Sequence, residues 1–271
     1  MDSQSLEVLK DVAVEVAKDA YKDTAQPVLK PTGQTLGLLP RAIKAALLPL
    51  EKWIVCRENN LAEIEKLLEI KLQNVSPDQI APPEAYIGVP ALQYISYCMD
   101  SEELRDMYAN LLAKSMCNVT RSGVHPSYVE IIKQLCPDEA KILRVIDGSI
   151  PVITLRFQNS SGEGFDIFKN FSDIGDTAKC DNPENVGSYI DNLERLGLIS
   201  TEYGSYLVDK AKYESLKKHP IYNKTVKELA PFYSENYHHQ KNKEGFYSIT
   251  HFGQLFSAVC VKPLANQEAL K

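Results

Sequence analysis

The sequence is poor in the residue patterns that mark catalytic and metal centres. It has five histidines, and the one close pair, His238 and His239, consists of neighbours whose side chains point apart on a regular element. No two of the six cysteines have the C-x-x-C spacing. The chain shows neither a phosphate-binding glycine loop nor a nucleophile–base pattern. We therefore predict that the protein is not an enzyme, with no catalytic residue, no metal ligand and no cofactor.

The cysteines and the start of the chain predict the compartment. The six cysteines are widely spaced, and the first residues, Met1–Ser5, do not resemble a secretory leader. Disulfides are rare in the cytoplasm, so we expect free thiols and a cytoplasmic protein. A peripheral position at the inner membrane is expected only if residues 35–55 contact lipid, as considered below.

Length and charge narrow the class of protein. A chain of 271 residues is long enough for about two domains. Its 44% hydrophobic and 24% charged residues are typical of a folded chain and exclude wholesale disorder. The net charge is −6. Proteins that bind nucleic acid with most of their surface are usually basic, so this class is disfavoured.

The strongest secondary-structure signal is helical. In Glu102–Met116, apolar side chains recur at the three- and four-residue intervals of one helix face, with Leu111 near the centre. Ser76–Pro90 is rich in proline and predicts a loop. These patterns predict an N-terminal helical domain over residues 1–124. Further helices are predicted at Ser3–Ala20, Asn60–Gln73, Tyr128–Leu135 and Pro137–Ile146.

The pattern changes after Ile146, where strand signals alternate with helical ones. Gly197 follows the last residue of a predicted helix, as a helix-ending glycine does. The predicted elements are a strand at Ile150–Phe157, helices at Phe165–Ala178 and Asn182–Leu196, strands at Leu198–Glu202 and Ser205–Val208, a helical insertion at about residues 209–244, a strand at Gly245–Thr250 and a helix at Thr250–Cys260. This order resembles a winged-helix domain. We predict a mostly α protein with a small β component, in which residues 125–271 form a winged-helix-like domain with a helical insertion.

In such a domain the helix Asn182–Leu196 would carry a contact face, with Asn185, Ser188 and Asn192 as candidate contacts. The helix has one arginine against three acidic residues, a net charge of −2. DNA affinity depends largely on Lys and Arg at phosphates, so we predict that this helix does not read duplex DNA. Six lysines of the insertion form either a basic patch or an ordinary solvated face: Lys210, Lys212, Lys217, Lys218, Lys224 and Lys227.

Residues 35–55 are the most apolar window and leave three hypotheses open. Two prolines and three basic residues interrupt the window, which argues against a transmembrane helix. An interfacial helix could place Trp53 in lipid, and Arg41, Lys44 and Lys52 at headgroups. The same residues could contact a partner, or the segment could pack on the Asn60–Gln73 helix. The prolines predict that the segment is divided into short helical pieces.

Two polar groups have an ordinary explanation at the start of a helix. His125-Pro126-Ser127 could be a nucleophile–base pair, but Pro126 suits a first helical turn and either neighbour can cap it. Four acidic residues lie in or just before the first turn of the Glu102–Met116 helix, where the helix dipole favours them. They are Asp100, Glu102, Glu103 and Asp106.

Longer motifs carry a family resemblance. They are ELRDMYANLLAKSM (Glu103–Met116), HPSYVEIIKQLCPDEAKIL (His125–Leu143) and IPVITLRF (Ile150–Phe157), preceded by LLPRAIKAALLPLEKW (Leu38–Trp53). These motifs resemble the Abi-alpha abortive-infection family of bacteria. The resemblance covers about residues 21–157 and extends into the winged-helix-like part.

The resemblance implies anti-phage defence, in which an infected cell halts or dies before the phage matures. It supplies no catalytic residue. We expect a non-enzymatic component that acts through binding to a protein partner or through self-association. Two alternatives are a membrane-surface effector that acts through residues 35–55 and a winged-helix DNA-binding regulator.

Overall fold

The computed structural model describes residues 38–51, 58–233, 237 and 239–264. In this part of the chain the protein is mostly α-helical with a small β component, as predicted. The predicted helix Ser3–Ala20 lies outside the described residues, as do Lys52 and Trp53.

The helices are α1 (Leu38–Glu51), α2 (Glu58–Leu72), α3 (Ala85–Ile95), α4 (Glu102–Met116), α5 (Ser127–Lys133), α6 (Pro137–Val145), α7 (Ile174–Thr177), α8 (Val186–Arg195), α9 (Ala211–Lys218), α10 (Pro220–Tyr233) and α11 (His251–Phe256). The strands are β1 (Ile150–Gln158), β2 (Gly164–Phe171), β3 (Ile199–Tyr203) and β4 (His239–Ile249). Short 3₁₀ turns lie at Pro77–Gln79, Arg121–Gly123 and Pro183–Asn185, and a π turn, Ser257–Val261, continues α11.

The described residues divide into two compact units. The first comprises residues 38–51, 58–100, 108–129 and 263–264, and the second comprises residues 101–107, 130–233, 237 and 239–262. The predicted domains, residues 1–124 and 125–271, stay a prediction.

The core of the first unit is built from helix faces. α4 begins and ends where the sequence predicts, and it buries the centre of its apolar stripe, including Leu111 and Leu112. Tyr108 is also buried, and its hydroxyl donates a hydrogen bond to the Val129 carbonyl at 3.2 Å, which satisfies the polar end of a core side chain. α1 packs against α2 and α3. The helical core therefore follows from the 3.6-residue period of the sequence.

The second unit contains a four-stranded antiparallel sheet in the order β2-β1-β4-β3. β1 is central, and its register with β4 runs from the Ile150–Tyr247 pair to the Gln158–His239 pair. α9 packs on β1, and α8 packs on β2 and β3. Gly197 ends α8 with a φ of +73°, a left-handed conformation that glycine adopts without strain. This glycine places β3 directly after α8, as predicted.

The predicted helix at Phe165–Ala178 is wrong. Residues 164–171 form β2, which pairs with β1 through a tight turn, and only the single turn α7 is helical. A register shift in the pairing with β1 lies between Phe168 and Phe171, and both rings pack on the ring of Tyr222. Pairing with β1 therefore decides the conformation, because antiparallel neighbours stabilise aromatic residues in a strand.

Four other predicted boundaries are also corrected. Residues 205–208 are not a strand, since β3 pairs with β4 instead. β4 begins at His239, so the helical insertion ends before residue 239 and does not reach 244. α1 is one helix rather than several pieces. Pro40 lies in its first turn, where no helical N–H bond is lost, and Pro49 lies so near the end that only the last turn loses a bond.

The fourth correction concerns α3, which begins at Ala85 and contains Pro90 where a loop was predicted. A proline at this position leaves the carbonyl of Tyr86 without its helical donor. Tyr86 is exposed, so solvent can limit the cost of that missing bond. Buried Ile87, Ala91 and Leu92 hold the helix in place.

We predict that Leu111→Asp lowers the free energy of unfolding of the helical unit by several kcal/mol. Leu111 has 0% exposure, and an unpaired carboxylate in its place would lose hydration without gaining a partner. Urea unfolding followed by circular dichroism measures the loss. The matched control is Ile70→Asp, at a side chain of 62% exposure on α2, which should change stability by less than about 0.5 kcal/mol. Equal stability of Leu111→Asp and the parent protein would contradict the packing described here.

Candidate functional site

The most concentrated polar cluster of the second unit centres on Asp138, in the first turn of α6. The carboxylate is 4% exposed and accepts hydrogen bonds from the backbone N–H groups of Asp181 and Asn182 at 2.8 and 3.0 Å. It also accepts from the Tyr189 hydroxyl at 2.9 Å and from Lys141 Nζ at 3.2 Å. Burial alone would raise the pKa of Asp138, but these donors outweigh it and lower the pKa. Four donors occupy both oxygens, so this carboxylate stabilises the fold.

Glu139, the next residue, makes a second set of internal contacts. Its carboxylate accepts from the backbone N–H of Cys136 at 2.8 Å, which completes a capping box at the start of α6. The Asn192 side chain donates to both of its oxygens, at 2.9 and 3.0 Å, and to the Gln134 carbonyl. Burial raises the pKa of Glu139 against the effect of these donors. The cluster therefore ties α6 to α8 through side chains that are far apart in sequence.

Two cysteines flank this cluster. Cys136 precedes α6, and the thiol of Cys180 lies 3.6 Å from the Asp138 carbonyl, to which it donates. Burial raises the pKa of Cys136, and burial followed by the charge of Asp138 raises the pKa of Cys180 to about 11. Thiols with raised pKa values stay protonated at neutral pH and are weak nucleophiles. These cysteines are therefore poor candidates for covalent chemistry.

A closed ring of hydrogen bonds joins three strands of the sheet. The Asn170 N–H donates to Thr154 Oγ1 at 3.1 Å, the Thr154 hydroxyl lies 2.6 Å from the Tyr203 hydroxyl, and Tyr203 donates back to Asn170 Oδ1 at 2.6 Å. Asn170 has a φ of +54° and is buried, and its amide N–H also donates to Asp191 on α8. Every member of the ring has a partner. The ring fixes the hydroxyl end of Tyr203 while part of its aromatic ring stays exposed.

Beyond Tyr203, the chain exposes apolar side chains before α9 begins. Tyr206 is 60% exposed and Val208 is 98% exposed. The loop is held in place, because the Leu207 N–H donates to the buried Tyr213 hydroxyl at 2.9 Å, and Lys210 Nζ lies 3.3 Å from the centre of the Tyr206 ring. We call Tyr203, Tyr206 and Val208 the β3–α9 surface. It combines exposed apolar groups with a fixed backbone, as protein interfaces often do.

The structure separates the three candidate contacts on α8 and its preceding turn. Asn185 and Ser188 are exposed. Asn192 is half-buried, and both ends of its amide are used within the chain, since Arg195 donates to Asn192 Oδ1 at 2.6 Å. An external ligand could reach Asn185 and Ser188 without breaking these bonds, whereas contact through Asn192 would break them.

Of the predicted contacts in residues 35–55, the structure describes Arg41 and Lys44, which are both exposed on α1. The apolar side of the same helix is turned inward, with Ile43 and Leu47 buried. In the part of the chain that the structure describes, no helix combines the length and apolarity needed to cross a membrane.

The helix-start interpretation of His125 and Ser127 agrees with the geometry. The Ser127 N–H donates to His125 Nδ1 at 3.2 Å, and the Ser127 hydroxyl lies 2.6 Å from the same nitrogen. Both residues precede or open α5, so the imidazole caps the first turn. Glu102 and Glu103 lie in the first turn of α4, and Asp106 pairs with Arg144 at 3.4 Å. Among the residues described, no three histidine, cysteine or acidic side chains form a group that could hold a metal ion.

Sequence reasoning missed the Asp138 cluster and the β3–α9 surface. Asp138 carries a weak local signal, since an acidic residue after Pro137 suits the first turn of a helix. Its partners lie about forty to fifty positions further along the chain, and no local pattern predicts them. The strand predicted at residues 205–208 would pair the backbone of Val208 and hide its exposure.

Comparison with known proteins decides the family. The Abortive infection alpha family model matches residues 56–260, about three quarters of the chain. The chain belongs to the Abortive infection alpha family. Membership implies a role in abortive-infection defence against phage. The match begins at residue 56, so the predicted resemblance of residues 21–53 lies outside it.

Other comparisons add little to this assignment. No curated protein matches the chain. One similar solved structure is an uncharacterized protein from the hydrocarbon-degrading marine bacterium Alcanivorax borkumensis SK2, with 16% sequence identity and a TM-score of 0.37. The similarity covers 50% of this chain and 92% of that chain.

We predict that Asp138→Ala lowers the free energy of unfolding by about 3 kcal/mol at neutral pH. The change leaves two backbone N–H groups and the Tyr189 hydroxyl without their acceptor. Because the folded pKa of Asp138 is lowered, its stabilisation is present at neutral pH and is lost as the pH falls below about 4 and through the folded pKa. Urea unfolding as a function of pH should therefore show the parent protein and the variant converging in acid.

The control is Asp181→Ala, which removes an exposed carboxylate 2.9 Å from Lys141 but keeps the backbone N–H that Asp138 needs. This change should cost less than about 1 kcal/mol. Equal losses in the two variants, or a constant difference between parent and Asp138→Ala across the pH range, would contradict the role given to Asp138.

For residues 35–55, we predict that the full chain does not float with neutral or anionic vesicles at about 150 mM salt. Ile43 and Leu47 are buried and cannot enter lipid, and Arg41, Lys44 and Lys52 would contribute only about 1 kcal/mol each near an anionic surface. A liposome flotation assay measures the bound fraction. Binding to anionic vesicles that disappears when the three basic residues become Glu would support the interfacial hypothesis instead.

Proposed function

We propose that the protein acts in abortive infection by binding a protein partner through the β3–α9 surface, and that it does so without catalysis. The observation that carries this proposal is the exposure of Tyr206 and Val208 on a backbone that is held in place. Val208 is 98% exposed and buries almost no apolar surface within the chain, whereas a partner that covers it would gain apolar burial. Ordered apolar side chains also bind with a smaller entropy loss than a flexible loop does.

The polar clusters support a binding role. Asp138 and Glu139 are buried and accept hydrogen bonds from within the chain, and the neighbouring thiols have raised pKa values. An acid–base or nucleophilic group has to reach a substrate in the right protonation state. Use of these groups in chemistry would require breaking contacts that join α6 to α8.

The order of elements in the second unit supports a winged-helix-like arrangement. β3 follows α8, and β4 pairs with β3 and with β1. The two wing strands are β3 and β4, and α9 and α10 come between them in the sequence. β2 is an additional strand beside β1. Winged-helix domains serve as protein-binding modules as well as DNA-binding modules, so the arrangement is compatible with either class of partner.

Duplex DNA is the less favoured partner for α8. Glu184 and Asp191 are exposed on or beside this helix, and exposed Arg195 donates to Asn192 and Gln134. The phosphates of a DNA groove would meet acidic groups there, which weakens the electrostatic term that dominates DNA affinity. The protein-binding hypothesis therefore has priority.

The test replaces Val208 with glutamate in cells that express the full chain. If the surface docks on a partner, the buried charge should weaken binding at least a hundredfold, and phage plating efficiency should rise to the level of cells without the protein. The melting temperature should stay within about 2 °C of the parent, because Val208 is almost fully exposed.

The matched control is Ile70→Glu, an equal change at a 62% exposed aliphatic side chain of the other unit. This variant should keep full protection. Protection that survives Val208→Glu and Tyr206→Glu alike would rule out the β3–α9 surface. Equal loss in Ile70→Glu would show that the cells respond to added surface charge rather than to this site.

A further inference from the structure

The helical insertion between β3 and β4 is basic in an acidic protein. α9 and α10 together contain five lysines and two glutamates, a net charge of +3, whereas the whole chain has a net charge of −6. Such a reversal of charge within one compact segment concentrates positive potential at one part of the surface.

The two helices turn their apolar sides to the sheet. Tyr213 and Leu216 of α9 are buried, and the Tyr213 hydroxyl donates to the Gly245 carbonyl of β4 at 2.9 Å. Tyr222 of α10 is buried against Phe168 and Phe171 of β2. The apolar side of α9 is therefore occupied within the second unit, and Tyr222 anchors the start of α10 on β2.

Four lysines lie away from the buried tyrosine of their own helix, and of these Lys212 lies one turn before the buried Leu216. At 100° per residue, each is more than about 90° from the buried tyrosine of its own helix. They are Lys212, Lys218, Lys224 and Lys227, all of them exposed. We call these four residues the lysine face.

The acidic residues of the insertion reduce the positive charge only in part. Glu214 pairs with Lys217 at 2.8 Å, and Lys217 also meets Glu244 of β4 at 2.9 Å, so Glu214 is engaged by a lysine that is not part of the lysine face. Glu228 lies 4.0 Å from Lys224, and both side chains are well exposed. Exposed pairs at that distance are weak, so Lys224 can exchange Glu228 for an external anion at little cost.

One class of polyanion fits these observations better than the others. Insertion into lipid requires a broad accessible apolar helix side, whereas α9 buries both Tyr213 and Leu216 and α10 buries Tyr222. A nucleic-acid strand needs only cations for its phosphates and an aromatic ring for a base. Phe232, 80% exposed and five residues after Lys227 on the same helix, offers such a ring.

We propose that the lysine face binds the phosphate backbone of single-stranded nucleic acid without reading its sequence, with Phe232 stacking on a base. This interaction uses residues outside the β3–α9 surface and goes beyond the proposed function. It does not involve Asn185 or Ser188, so it is compatible with an acidic α8. The expected partner is any single strand long enough to span the lysines.

The experiment measures the fluorescence anisotropy of a labelled oligo-dT of about 20 nucleotides with the full chain, between about 50 and 200 mM salt. Binding should weaken as salt rises, with a log–log slope of about −0.7 for each phosphate contacted. Changing all four lysines of the lysine face to Gln should remove most of that slope. Phe232→Ala should weaken binding about fivefold or more and leave the slope unchanged.

The matched control changes four exposed lysines outside the insertion to Gln, at Lys66, Lys169, Lys179 and Lys241. This control has the same change in net charge and should keep the slope and the affinity. The pair Asn185→Ala and Ser188→Ala should also bind as the parent does.

Three results would overturn the proposal. The first is no binding by the parent protein at about 50 mM salt. The second is an equal loss in the control lysine variant, which would mean a diffuse charge effect. The third is that the parent protein does not bind the oligonucleotide but adsorbs to vesicles of anionic phospholipid, and that this adsorption disappears when the four lysines of the lysine face are changed to Gln. Since Val208 is not part of this face, loss of phage protection in Val208→Glu with unchanged oligo-dT binding separates the two surfaces.

Discussion

The antiparallel pairing of β1 with β4 is the constraint on which the second unit depends. β1 leaves the end of α6, whereas β4 arrives after α7, α8, β3 and the two helices of the insertion. Their shared register aligns Ile150 with Tyr247 and Gln158 with His239. Every element between the two strands must therefore fold back within the length of one sheet. Closing such a long loop costs chain entropy before the pairing contributes stability, so this unit should fold more slowly than the helical one.

Buried polar contacts then fix how the helices meet the sheet. Asp138 holds the chain before α8 by two backbone N–H groups, and Glu139 holds Asn192 on α8 itself. Hydrogen bonds of this kind are directional, whereas apolar contacts tolerate sliding. Loss of one acceptor leaves several donors unsatisfied at once, which makes the cluster costly to break. The same bonds explain why conspicuous carboxylates can be present in a protein whose proposed role is binding.

The sequence predicts an element well where the signal is local and poorly where a distant partner decides. Leu111 and its neighbours show the period of a helix within fifteen residues, and α4 has the predicted bounds. His125 and Ser127 cap a turn from two positions apart. By contrast, the conformation of Phe168 depends on its pairing with β1, which is invisible to a local pattern. Pro90 is tolerated inside α3 because buried neighbours stabilise that helix. The exposure of Val208 likewise depends on β4 taking the place of a predicted local strand. Local patterns therefore predict helices and helix caps, whereas an exposed surface such as that of Val208 depends on distant strand pairing.

In the hydrogen-bond ring of Thr154, Asn170 and Tyr203, the donor and the acceptor of each bond are fixed. Asn170 Oδ1 can only accept, so Tyr203 donates its one hydroxyl hydrogen there. The Thr154 hydroxyl therefore donates to Tyr203 while it accepts from the Asn170 backbone N–H. No hydroxyl in this circuit can turn without breaking a neighbour's bond. These bonds therefore hold the Tyr203 side chain in one orientation, whereas Val208 has no polar group that could restrain its side chain. A partner that contacts both residues would cause a smaller loss of side-chain entropy at Tyr203 than at Val208. Contact with Tyr203 therefore carries the smaller entropic cost of binding.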